Sequence, residues 1–176
     1  VARVYRTVSQ QRRMVVNARS SADINGRHLT FRWVVLQGDP DKIQVRPLNA
    51  NAAKAEILFQ WHPMSAIPGM PGMQSSRIDI GVFADNGQTP SLPAFISSFT
   101  LANEDRTYVD GRIQSIDYGT AEICERYVDP LIDIPKRWRD EYLYSSENEL
   151  LGWRRIFPTA KRQQFAADGR MIRKRD

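Results

Sequence analysis

The sequence predicts an all-β protein: a Greek-key β-sandwich of seven short strands followed by a β-hairpin-rich extension with one short helix. Three observations carry that prediction. A polar turn, Ser20-Ser21-Ala22-Asp23-Ile24-Asn25-Gly26, runs straight into Leu29, Phe31 and Trp33, whose spacing of two places them on one face of a strand. Ile78, Ile80 and Val82 alternate in the same way with Arg77, Asp79 and Gly81, and Asp85-Asn86-Gly87 ends that run with residues that accept tight or left-handed backbone. After Asn103 a unit of aromatic residue, turn, charge and aliphatic residue recurs at Tyr108–Ile113, Tyr144–Leu150 and Phe165–Met171.

Taken in order, the strands fall at Val4–Val8, Arg13–Ala18, Leu29–Leu36, Lys42–Leu48, Ala55–His62, Arg77–Ala84 and Ala94–Leu101, each bounded by turn-forming residues. Trp33, in phase with Leu29 and Phe31, belongs to the core between the two sheets. The three later units predict three hairpins. Between the first and the second, Ala121–Val128 predicts the short helix, ending before Asp129-Pro130, and Pro130 to Trp138 predicts an ordered loop. The change of character divides the chain into a sandwich over residues 1–103 and a basic hairpin-and-loop extension over residues 104–176.

The chain has 176 residues, 41% hydrophobic and 26% charged, which is enough apolar material for a real core. The one cysteine, Cys124, has no internal partner for a disulfide. No apolar run approaches the roughly 18 residues that span a bilayer, so the chain is not expected to be transmembrane. The net charge is +5, but Leu151 to Asp176 alone carries eight basic and two acidic residues, so the excess sits at the C-terminal end. Such a patch favours an acidic protein face, an acidic polysaccharide or lipid headgroups; nucleic acid is not an expected partner.

Two resemblances add to this reading. The segment Ser20-Ser21-x-Asp23-x-Asn25-Gly26-x-x-Leu29-Thr30-Phe31-x-Trp33 resembles the entry of polycystic-kidney-disease (PKD) and cadherin-like domains, and Ile78–Gly87 is similar to a late strand of that family. The resemblance covers about residues 10–101 and implies an immunoglobulin-like module used for adhesion, spacing or ligand presentation outside the cell. The three later units look like the Tyr-Asp-x-x-Gly-Arg-Leu hairpins of Rhs/YD-repeat proteins, here as a small meander.

Three constellations bear on chemistry. The loop His62 to Met73 holds Met64, Met70 and Met73, soft thioether ligands that with His62 suit copper(I); its density of Pro and Gly equally makes a long exposed loop for partner contact. Asp23, Asn25, Asp39, Asp41, Asp79 and Asp85 offer hard oxygens near turns, without the full ligand spacing of a calcium loop. Cys124 has no cysteine-protease signature around it, and no Gly-x-Ser-x-Gly elbow, phosphate-binding loop or His-Glu-x-x-His helix is present. The expectation is therefore no catalysis, no metal and no cofactor.

Partner-binding residues are expected where aromatics adjoin guanidinium groups, at Arg137-Trp138-Arg139 and Trp153-Arg154-Arg155, together with Arg173, Lys174, Arg175 and the thioethers of Met64, Met70 and Met73. The function expected is a non-catalytic protein-protein or envelope-interaction module of an exported bacterial protein, periplasmic or extracellular and peripheral to a membrane. The alternatives are an accessory subunit docked on a larger membrane assembly and a carbohydrate-binding module.

Overall fold

The computed structural model describes residues 7–67, 69–100, 104–119 and 137–175, with the side chains of 173–175 excepted. Two compact units emerge, Gln11–Thr100, and Val1–Gln10 together with Leu101–Asp176.

Gln11–Thr100 is an all-β, sandwich-like unit. One sheet pairs β1 (Gln11–Asn17), β4 (Lys54–Gln60) and β3 (Ile43–Pro47) in the order β1-β4-β3; the other pairs β2 (Thr30–Gln37), β7 (Ile78–Asp85) and β8 (Ala94–Ser98) in the order β2-β7-β8. All pairings are antiparallel, and a two-residue hairpin, β5 (Ser65–Ala66) with β6 (Gln74–Ser75), spans the long loop between β4 and β7. The alternation in the sequence decides what faces inward. Ile43, Ile57 and Phe59 from the first sheet meet Ile78 and Ile80 from the second, with Met14, Val16, Trp33, Val35, Val45 and Ile96 packed around them. Trp33 is half-buried against this core, and its indole Nε1 donates to the Ala52 carbonyl at 2.8 Å, which supplies the polar handle that a buried indole needs.

Six of the seven expected strands are present in this unit. Of the seventh, Val4–Val8, residues 1–6 lie outside the described residues, and Thr7 and Val8 are in no strand. The expected helix Ala121–Val128 also lies outside them; among the described residues the only helical element is the three-residue 3-10 turn Pro40–Lys42, capped by the Asp39 carboxylate. Of the expected loop Pro130 to Trp138, residues 130–136 also lie outside the described residues, and Trp138 opens a strand.

Glu56 projects from β4 on the side away from the core, between Arg46 of β3 and Arg13 of β1. The Arg46 hydrogen bonds, then those from Arg13, hold its carboxyl below the usual carboxylate value. A depressed folded-state value means the contribution to stability is present above the unfolded value near 4.5 and is lost as pH falls through the folded one. Glu56→Gln is therefore expected to lower the melting temperature near neutral pH and to melt with the parent protein in strong acid. A difference that is independent of pH would reject this linkage.

The second unit is a six-stranded meander in strict sequence order: β9 (Glu104–Val109), β10 (Arg112–Tyr118), β11 (Trp138–Tyr144), β12 (Leu150–Ile156), β13 (Arg162–Ala166) and β14 (Met171–Arg175). Asp110 and Gly111 both take positive φ, 48° and 75°, as a two-residue hairpin turn requires. The other short turns share one hydrogen-bonding pattern. Ser145 N to Glu149 O and Asn148 N to Ser145 O recur as Phe157 N to Lys161 O with Ala160 N to Phe157 O, and as Ala166 N to Arg170 O with Gly169 N to Ala166 O, all at 2.9 to 3.0 Å. The left-handed position is Asn148, Ala160 and Gly169 in turn. Only Ala160 is a residue that pays sterically for that conformation, at about 1 kcal/mol. Ala160→Gly is expected to stabilise the protein by about 0.5 kcal/mol after the larger unfolded-state entropy of glycine is offset, read as a small rise in denaturant midpoint. A fall in the midpoint would contradict it.

Gly152 answers a different need. It sits at φ 147° beside an irregularity in the β11–β12 pairing, and a Cβ there would overlap the carbonyl of Phe165 on β13.

Candidate interaction surfaces

Adjacent residues of a strand point to opposite faces, and this divides the expected aromatic-basic clusters of the meander. Trp138, Asp140, Tyr142, Trp153, Arg155 and Phe165 share one face; Arg139, Glu141 and Arg154 share the other. On the first face Arg155 donates twice to the Asp140 carboxylate, Nε to Oδ1 and a terminal nitrogen to Oδ2, both at 2.8 Å. Its guanidinium carbon lies 4.2 Å from the centre of the Trp138 ring and 5.3 Å from that of Phe165. Trp153 stacks on Phe165 at 5.1 Å and tilts against Tyr142 at 6.2 Å; Trp138 lies between Tyr118 and Phe157. This is a half-buried aromatic layer closed over an ion pair. Burial pushes the Tyr118 phenol up to about 12, with the charges of Glu104 and Asp140 adding to it, and pushes Tyr142 up as well. On the opposite face Arg154 reaches Glu141 at 2.8 Å and Arg139 reaches the same carboxylate at 3.7 Å.

The expected docking cations at Arg139, Arg154 and Arg155 therefore have intramolecular carboxylate partners. Arg137 is exposed, and for Arg173, Lys174 and Arg175 only the backbone, in β14, is described. Of the thioethers, Met70 is exposed while Met64 and Met73 are half-buried. His62 is not directed at them. It is buried, its Nδ1 donating to the Gln60 carbonyl at 2.8 Å and its Nε2 accepting from the Asp39 amide at 3.0 Å. Four of the five turn carboxylates are likewise engaged: Asp23 accepts from Asn25, Arg27 and Asn86, Asp39 from Asp41, Asp85 from Gly87, and Asp79 from Arg77 and Ser97. Among the described residues no group of three or more His, Cys, Asp or Glu side chains is arranged to hold a metal ion.

A surface outside the expected set lies on the outer face of the β2-β7-β8 sheet. Gly81 stands at its centre, in register with Val34 on one side and Phe95 on the other. Without a side chain there, Leu36 folds over the strand: a Cβ at position 81 would meet Leu36 Cδ1 at 2.7 Å and the Phe83 ring at 3.3 Å. Leu36 follows Val34 in the outward phase of β2 and lies at the irregularity between Val35 and Gln37. Leu36 is 45% exposed and Phe95 61% exposed. Polar groups frame this patch. The Arg32 guanidinium sits 5.2 Å from the Phe83 ring centre at one side, and at the other Arg77 and Ser97 converge on the Asp79 carboxylate. β8 is one of the two outer strands of the sheet and carries no charged residue.

The signal for this surface was present in the sequence as a broken alternation. In Trp33-Val34-Val35-Leu36 both phases of the strand are apolar, so one set of side chains has to face away from the core. Compared with protein-family models, with curated proteins and with solved structures, the chain matches none.

Proposed function

We propose that the chain is a non-catalytic interaction module that docks on a protein partner through the outer face of the β2-β7-β8 sheet. The observation that carries this is the patch of Leu36, Phe83, Phe95 and Val34 around Gly81, apolar in the middle and polar at its edge, the anatomy of a protein-protein contact rather than of a solvated sheet. The uncharged outer strand β8 supports the same reading, since isolated soluble domains commonly protect such an edge with charge, proline or a bulge. The strand orders β1-β4-β3 and β2-β7-β8 correspond to the B-E-D and C-F-G pairings of an immunoglobulin-like Greek-key sandwich. With the PKD- and cadherin-like segments Ser20–Trp33 and Ile78–Gly87, they support an exported module, periplasmic or extracellular.

A photo-crosslinking residue placed at position 95 in the native host tests this, with the same residue at Val15 on the outward side of β1 as the control. One discrete adduct from position 95, absent from position 15 and abolished by Leu36→Glu, is the expected result. No adduct, or equal labelling from both positions, overturns the assignment.

A further inference from the structure

At one end of the sandwich, the segment after β1, the turn before β2 and the β3–β4 turn border an open, shallow recess of about 290 Å³. Its frame is fixed by backbone and amide hydrogen bonds. The Phe31 amide donates to the Asn51 carbonyl at 2.9 Å, the Asn51 side-chain amide donates to the Leu29 carbonyl at 3.1 Å, and the Ala18 amide donates to the Ala53 carbonyl at 2.7 Å. The Asp23 carboxylate pins the turn: one oxygen accepts from the amides of Asn25 and Arg27, the other from the side chain of Asn86 at 2.9 Å. That carboxylate is spent on structure.

The basic side chains of the recess are not. Arg19, Arg27 and His28 line it and are exposed. Among the described residues the side chains of Arg19 and His28 make no hydrogen bond or ion pair, and Arg27 meets only the charge of Asp23. This contrasts with Arg13, Arg46, Arg77, Arg139, Arg154 and Arg155, each of which reaches a carboxylate. Phe31 supplies an apolar wall, and Ser21 offers a hydroxyl. A bare oxyanion would fill only a small part of this space, given that one water takes about 30 Å³. A hydroxylated ring bearing one anionic group matches the combination better: the guanidinium forks take the carboxylate or sulfate, and the ring lies against Phe31.

We propose that this recess is a binding site for an acidic sugar, one residue carrying a carboxylate or sulfate, with Arg19 and Arg27 as the anion-holding groups. It uses other residues than the β2-β7-β8 patch, so the two assignments stand or fall separately. The test follows backbone amide resonances of the full chain during titration with sodium glucuronate, with glucose and with inorganic sulfate. Glucuronate is expected to shift the amides of Gly26 to Leu29 saturably, more tightly than sulfate, while glucose leaves them unmoved. Arg19→Gln with Arg27→Gln is expected to weaken glucuronate binding at least about tenfold, the loss of two charge-assisted contacts, with the melting temperature unchanged. Three results overturn the proposal: no saturable shift with glucuronate, sulfate binding as tightly as glucuronate, or glucose binding as tightly as glucuronate. Undiminished glucuronate binding in the folded double variant removes the assigned role of the two arginines.

Discussion

Asp140→Ala is expected to destabilise the meander by about 3 kcal/mol, within the range for removing one partner of a buried ion pair. The Asp140 side chain is 3% exposed and both its oxygens accept from Arg155. Without it, a guanidinium stays between the Trp138 and Phe165 rings with no compensating charge, and only the 23% of its side chain that reaches solvent relieves the cost. Denaturant unfolding followed by tryptophan fluorescence measures this, since Trp138 and Trp153 flank the pair. Asp140→Leu combined with Arg155→Met should recover most of the loss, because removing both charges leaves nothing unpaired. An unchanged midpoint in Asp140→Ala would show that the pair contributes nothing, and a double variant weaker than the single one would show that the loss does not come from an unpaired guanidinium.

In the sandwich the largest expected loss is at Ile57. Its side chain is fully buried, at 0% exposure, and lies in register with Met14 on one neighbouring strand and Val45 on the other. Ile57→Ala removes methylenes from a site walled on both sides by paired strands, which limits collapse around the gap. The expected cost is about 4 kcal/mol, toward the upper end for such truncations. Ile57→Val should cost about 1 kcal/mol. Equal losses for the two variants would mean that the site relaxes freely and is not the centre of the core.

The sandwich was legible because its strands obey alternation. Leu29–Leu36 and Arg77–Ala84 were placed within one residue of Thr30–Gln37 and Ile78–Asp85, since the inward set is apolar at every second position and a turn signal closes each run. The meander was only partly legible. The turns at Gly111, Asn148 and Gly169 announce themselves through residues that favour left-handed backbone, whereas Ala160 takes the same conformation with no compositional trace. The hairpin between β12 and β13 was missed for that reason. The basic clusters misled in another way. Arg154 and Arg155 are neighbours in sequence but face opposite sides of β12, and each finds an acid on β11, information that lies in strand register and not in local charge. The recess at Arg19, Arg27 and His28 brings together two segments and a third at Asn51 that no local pattern connects.

The sequential order of the meander has a kinetic consequence. From β11 to β14 each strand pairs with the strand next to it in sequence, across turns of a few residues, so each hairpin closes a short loop and offers a template for the next. In the sandwich β3–β4 and β7–β8 also close locally, but Asn17 must find Lys54, and Thr30 must find Asp85, before either three-stranded sheet is complete. Those long closures slow its assembly relative to the hairpins, and during that delay the uncharged β8 edge and the outward Leu36 and Phe95 are the surfaces most open to association with other chains.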